Sequence, residues 1–245
     1  MLLQCANEDP GADSVAGWLR AGTLASLSEL NEECLEACVA QARAGPASAL
    51  CVEIAAGWSA LDAAGRQHFS GCLYLLMDAG FAQVTRWRDA GVRQVDDGGA
   101  PGYAPWFTVP AALPLAQAIV TFAWHLARCQ GSAARLLLGM PAASLREVAG
   151  RTLGEVRALA LRHPHWLRPR WTAQPGLWRE LFAAAAGGEP ARLERARLRG
   201  QTLLAAEVRL AQMAPSAVPG RAPRPHRTRS GHHDPMSLFE RSESY

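Results

Sequence analysis

Apolar residues recur at helical spacing through much of the chain, and this pattern constrains the fold more than any other. Leu30, Cys34, Leu35, Cys38, Val39 and Ala42 fall on one face of a helix, and Leu115, Ile119, Phe122, Ala123 and Leu126 repeat the arrangement farther on. Ala and Leu, both strong helix formers, fill most of these stripes, while β-branched residues are sparse. With 49% of 245 residues hydrophobic, there is enough apolar side chain for a core. The expected fold class is all-α.

Helix signals set the expected boundaries. Ser26-Leu-Ser-Glu29 has the form of a capping box, and Gly45-Pro46 stops the helix that would follow. A second helix carries Leu50, Ile54 and Trp58. A third carries Leu61, Phe69, Cys72, Leu73 and Leu76 and ends near Gly80, with Phe81 and Trp87 in a short piece after it. Residues 91–113 hold Asp96-Asp97-Gly98-Gly99 and several prolines and read as a linker or long loop. A restart is expected at Pro114, in the first-turn position that suits proline. Ser144 with Glu147, and Thr152 with Glu155, are further capping boxes. The two prolines in His163-Pro-His-Trp-Leu-Arg-Pro-Arg-Trp171 force an extended path. Helices over 176–186 and 190–212 close the series. From Ala214 the composition is rich in Pro, Arg, Ser, Gly and His and predicts disorder. The domain reading is an N-terminal helical unit over 12–90, the linker, a C-terminal unit over 114–213 and a tail over 214–245.

Both units share a rhythm of helix, short helix, helix and Trp-containing segment. Ala64-Gly65-Arg66 matches Ala149-Gly150-Arg151, and Trp87-Arg88 matches Trp178-Arg179. Two similar halves, products of an internal duplication, are therefore expected.

Charge and cysteine usage narrow the function classes. All 25 basic residues are Arg, as a GC-rich coding sequence would give, so the arginine count alone says little about guanidinium chemistry. The net charge is +3, and removing the stretch from Ala214 onward, with its five Arg and three acids, leaves about +1. That is not the footprint of a protein that binds nucleic acid by charge alone. Cys5, Cys34, Cys38, Cys51, Cys72 and Cys129 lie in apolar stretches and read as reduced core thiols. No bilayer-spanning run is expected, and the first ten residues lack the form of a secretory signal. A cytoplasmic location follows as the expectation.

Catalytic and metal motifs are absent. There is no Gly-x-Ser-x-Gly elbow, Walker loop or dinucleotide glycine fingerprint, and His68 and His125 stand at no spacing that pairs an acid with a base. His163 with His165 offers only two imidazoles, and Cys34 with Cys38 reads as part of a core stripe. A non-enzymatic protein with no cofactor and no metal is expected.

The distinctive chemistry is the run of arginine and tryptophan from Arg162 to Arg179. Arg162, Arg168, Arg170 and Arg179 are candidates to grip phosphates, with Trp166 and Trp171 buttressing the segment or stacking on a partner. The competing reading is structural: the indoles pin an extended connector to the helices and the guanidinium groups sit in water. Arg192, Arg195 and Arg199 share one face of the last helix and are candidates for contact with nucleic acid or an acidic partner.

From Leu115 to Trp178 the order of motifs resembles the FlhD-type flagellar transcriptional regulators. The matching pieces are Leu126-Ala127-Arg128, then Leu138-Gly139-Met140, then the helix from Leu153 to Leu161, then Trp166-Leu167-Arg168-Pro169-Arg170-Trp171. The resemblance implies a helical regulator that works with an FlhC-type subunit on promoter DNA, with helix faces making oligomer contacts. The alternative is a cytosolic adaptor or chaperone, for example of a secretion system, with no nucleic-acid role.

Overall fold

The first helix begins a turn before the serine that should cap it. In the computed structural model, which describes residues 19–45, 47–89 and 106–213, α1 spans Ala21–Ala44. Thr23 and Leu27 continue its buried face backward, and packing outweighs the local capping signal. Helix α2, Ala49–Ala60, is capped by Ser48, whose hydroxyl accepts from the Cys51 N–H at 3.1 Å. Helix α3, Ala63–Ser70, is capped by Asp62, whose carboxylate accepts from the Gly65 N–H at 2.7 Å.

Helix α3 stops well before Gly80, because the chain from Cys72 onward is held open from inside the core. Asn31, buried in α1, donates to the carbonyls of Ser70 and Tyr74 at 3.0 and 3.1 Å and accepts from the Leu76 N–H at 2.9 Å. These bonds replace the helical partners the segment lacks, so Tyr74, Leu75, Leu76 and Met77 are buried without helix. Strand β1, Met77–Asp78, then pairs antiparallel with β2, Arg168–Pro169, with Met77 opposite Pro169 and Asp78 opposite Arg168. A short α4, Val84–Asp89, follows.

Helix α5, Val109–Cys129, starts inside the expected linker and runs through Pro114. Pro110 takes the first-turn position instead. Pro114 is exposed, so the carbonyl it fails to bond faces water and the helix continues. Among the described residues α5 is the one helix long and apolar enough to cross a membrane by length and composition. Here it is a core helix: Leu115, Ile119, Ala123 and Leu126 are buried against α6 (Gly131–Leu138), α7 (Ala142–Ala149) and α8 (Leu153–Arg162). Ser144, expected to cap α7, lies buried within it, while Thr152 and Glu155 form the expected capping box of α8. A 3-10 turn, Pro164–Trp166, precedes β2, and α9 (Pro175–Gly187) and α10 (Pro190–Met213) complete the chain that is described.

The fold class is all-α: the described residues form ten α-helices and one two-stranded ribbon. The two similar halves do not appear. The matched motifs fall in unlike places: Gly65 is buried inside α3 while Gly150 caps the end of α7, and Trp87 stands in six-residue α4 while Trp178 stands in 13-residue α9. Helices from both sides of the expected linker also interleave, with α1 on α5 and α9 on both α2 and α3, around one continuous core. Ala-rich helices repeat short motifs without repeating a fold. The readings made for residues 12–18, for most of the linker and for the 214–245 tail lie outside the described residues.

Candidate functional site

The centre of the arginine and tryptophan run, around Trp166, Arg170 and Trp171, is built into the protein interior. Trp166 packs edge-on to Trp87 with ring centroids 5.7 Å apart, stacks on His163 at 4.4 Å, and carries the Arg86 guanidinium over its face at 5.5 Å. Trp171 packs edge-on to Tyr74 at 5.2 Å. It adopts φ 52°, a left-handed conformation that costs a non-glycine residue about 1 kcal/mol. This bend turns the chain from β2 into α9, where the Trp178 indole donates to the Arg170 carbonyl at 2.9 Å.

Arg170 is 3% exposed. Its Nε donates to the Leu75 carbonyl and its Nη2 to the Leu138 carbonyl, each at 2.7 Å, and Nη1 lies 3.4 Å from Glu207 Oε2 on α10. One guanidinium thus ties the β1 approach, the end of α6 and α10 together. Arg168 beside it places Nε and Nη2 on Asp78 Oδ2 at 3.2 and 2.9 Å. Burial pushes the Asp78 carboxyl upward, but Arg170, Arg168 and the Phe81 N–H outweigh it and hold the group below its ordinary range. Glu207 goes the other way: burial raises it, and Asp78 adds to the rise against the pull of Arg170 and Arg168. A cleft of about 170 Å³ opens here, lined by Asp78, Arg168, Arg170, Gln174 and Glu207 among others. Its two arginines face two carboxylates, so it holds no surplus charge for an anion.

The other candidate arginines are on the surface. Arg179 pairs with Glu53, joining α9 to α2, and Arg199 pairs with Glu180 at 2.6 Å, joining α10 to α9. The Arg162 Nε donates to the Ala158 carbonyl at 3.2 Å, and Arg195 donates to the Ala191 carbonyl at 3.3 Å. Arg192 and Arg195 are exposed and form no ion pair among the described residues. The structure therefore separates what the sequence grouped. Trp166, Trp171 and Arg170 belong to the core, Arg168, Arg179 and Arg199 are held by acids, and Arg192 and Arg195 look outward.

The outward chemistry that sequence reasoning missed lies between α6 and α10. A groove of about 380 Å³ is lined by Ser132, Arg135 and Leu136 on one helix and by Ala205, Val208, Arg209 and Gln212 on the other. Leu136 is 41% exposed, and Leu210 and Met213 at the same end of α10 are 68% and 79% exposed. Arg209 could have been found from the 3.6-residue period of α10; its pairing across space with Arg135 had no sequence signal. A second, mainly apolar cavity of about 440 Å³ lies where α9 passes into α10 and is lined by His68, Leu193, Glu194 and Arg197 among others.

Among the described residues, no group of three or more His, Cys, Asp or Glu is placed to hold a metal ion. Cys34, Cys38, Cys51 and Cys72 are free and buried. Cys129 departs from the core part of that reading: it stands half-exposed at the C-terminal end of α5. Cys5 lies outside the described residues. No family model, no curated protein and no solved structure matches the chain.

Proposed function

We propose that this protein is a non-enzymatic helical regulatory or interaction protein that acts by contact of its helix faces with a protein partner. The observation that carries the reading is the outward face of α10 and α6. Leu136, Leu198, Leu210 and Met213, on these two helices, are four of the eight large apolar side chains left exposed among the described residues. The FlhD-like reading, with an FlhC-type subunit and promoter DNA, is one form of this proposal, and the adaptor or chaperone is the other. The internal use of Arg168 and Arg170, and the pairing of Arg179 and Arg199 with acids, favour the adaptor form. They leave Arg162, Arg192 and Arg195 as the candidates that face outward.

Co-purification of the full chain from its native cell, beside a Leu198→Asp/Leu210→Asp/Met213→Asp variant, tests the proposal. Partners retained by the native chain and lost by the variant support it. Equal recovery, or no partner at all, overturns it. DNA binding separates the two forms: a regulator with several phosphate contacts loses affinity steeply as salt rises, and an adaptor gives no retention at any salt.

A further inference from the structure

We propose that the groove between α6 and α10 receives an amphipathic helix of a partner protein, one whose apolar anchors are flanked by Asp or Glu. This rests on the interaction reading above and names the chemistry of the partner. The walls have the form that such a ligand needs. Ser132, Arg135 and Leu136 stand at positions i, i+3 and i+4 of α6, and Ala205, Val208, Arg209 and Gln212 at i, i+3, i+4 and i+7 of α10. Two rows of this kind, one on each helix, form a trough that takes the side chains of a third helix.

The trough is preformed. Gly139 caps α6 at φ 66°, and α10 packs over it, with Leu204 where a Cβ would stand and Val208 in ordinary contact at 3.5 Å. On the inner side Arg170 bonds the Leu138 carbonyl and reaches Glu207, so the two helices are fixed to each other by a buried guanidinium.

Charge selects the occupant. Arg135 and Arg209 line the groove, and neither makes an ion pair or a side-chain hydrogen bond among the described residues. The acid nearest in sequence on α10, Glu207, pairs with Arg170 at 3.4 Å. The groove therefore combines the apolar Leu136, Ala205 and Val208 with two cations. A second copy docked by a two-fold axis would set this pair of cations against itself. An acidic amphipathic helix satisfies both features together.

The test uses the full chain and two labelled 20-residue helical peptides with Leu at i, i+3, i+4 and i+7. One is flanked by Glu and the other by Lys, and binding is read by fluorescence anisotropy. The Glu peptide is expected to bind, and Arg135→Glu/Arg209→Glu is expected to weaken it by about tenfold or more while gaining the Lys peptide. Circular dichroism melting confirms that the variant folds. Absence of binding, equal binding by variant and native chain, or preference for the Lys peptide overturns the proposal. A photo-crosslinker at Leu136 in the native cell identifies the occupant. A crosslink to an acidic amphipathic segment of another protein supports the proposal; a crosslink to a second copy, to this chain's own residues or to lipid overturns it. A partner found by co-purification but indifferent to the Arg135/Arg209 reversal overturns the groove while leaving the interaction reading standing.

Discussion

Arg168 lays two guanidinium nitrogens on a single oxygen of Asp78, 90 residues earlier in the chain, at 3.2 and 2.9 Å. The same carboxylate accepts through its other oxygen from the Gly80 and Phe81 N–H groups at 3.0 and 3.1 Å. Asp78 therefore closes the turn after β1 and clamps β2 to it. Asp78→Asn is expected to destabilise the fold by about 2–3 kcal/mol, below the range for a fully buried pair because Arg168 keeps some contact with water. The sign with pH follows from the lowered carboxyl. Its contribution is fully present above the ordinary value of about 3.8 and is lost as pH falls through the lower folded value. Urea midpoints of both proteins across pH 2–7 check this; the gap between them should be widest near neutrality and shrink in acid.

Arg170 serves two buried carbonyls and a carboxylate from one side chain, so its loss strips the two carbonyls of this donor and leaves Glu207 to water. Arg170→Met keeps the volume and removes the donors, and is expected to cost about 3–5 kcal/mol. Arg170→Lys should recover little, since a single ammonium cannot span Leu75, Leu138 and Glu207. Equilibrium unfolding of the three proteins decides the matter, and near-native stability of the Lys variant would show that the fork geometry is not needed.

Gly200 tests the packing of α10 against the irregular segment. On helix propensity alone, Gly200→Ala should stabilise by about 1 kcal/mol. A Cβ there would meet the Tyr74 hydroxyl and ring at less than a contact distance, and Tyr74 is fully buried. The expected result is a loss of about 1–3 kcal/mol. Gly154→Ala on α8, where the nearest atom is Thr152 Oγ1 at 4.0 Å, is the control and should not destabilise. A melting temperature raised by Gly200→Ala would contradict this placement.

Phe122 and Trp124 lie on the flank of the α5 stripe, and full burial of either would make Ala substitution cost about 3–5 kcal/mol. The structure leaves both only partly buried, and the Trp124 indole donates to the Arg151 carbonyl at 2.8 Å. The expected costs therefore fall to about 1–2 kcal/mol for Phe122→Ala and about 1 kcal/mol for Trp124→Phe, which removes the donor and keeps the ring. Thermal unfolding measures both.

The helices themselves were legible in the sequence because their causes are local. The stripe from Leu30 to Ala42, the Thr152–Glu155 capping box and the apolar rows of α9 and α10 each sit within a few turns of chain. Period and capping chemistry determine such elements before any tertiary contact forms. The extended path around Pro169 was legible for the same reason, since proline restricts its own backbone and its neighbour's.

What only the tertiary structure decided is where local signals competed with distant partners. Ser26 offered a cap, yet buried Thr23 and Leu27 moved the start of α1 upstream. Cys72 to Leu76 carried a helical stripe, yet three hydrogen bonds with Asn31, 39 to 45 residues earlier, hold the chain out of helix. Arg168 and Arg170 read as surface cations, gripping phosphate or sitting in water, and Asp78, Leu75, Leu138 and Glu207 made them structural pins instead. The groove of Arg135 and Arg209 lies where Gly139 lets Leu204 of α10 pack against the end of α6. A sequence encodes the propensity of each stretch. The choice between burying a side chain and presenting it belongs to contacts between stretches, whose free energies exceed those propensities.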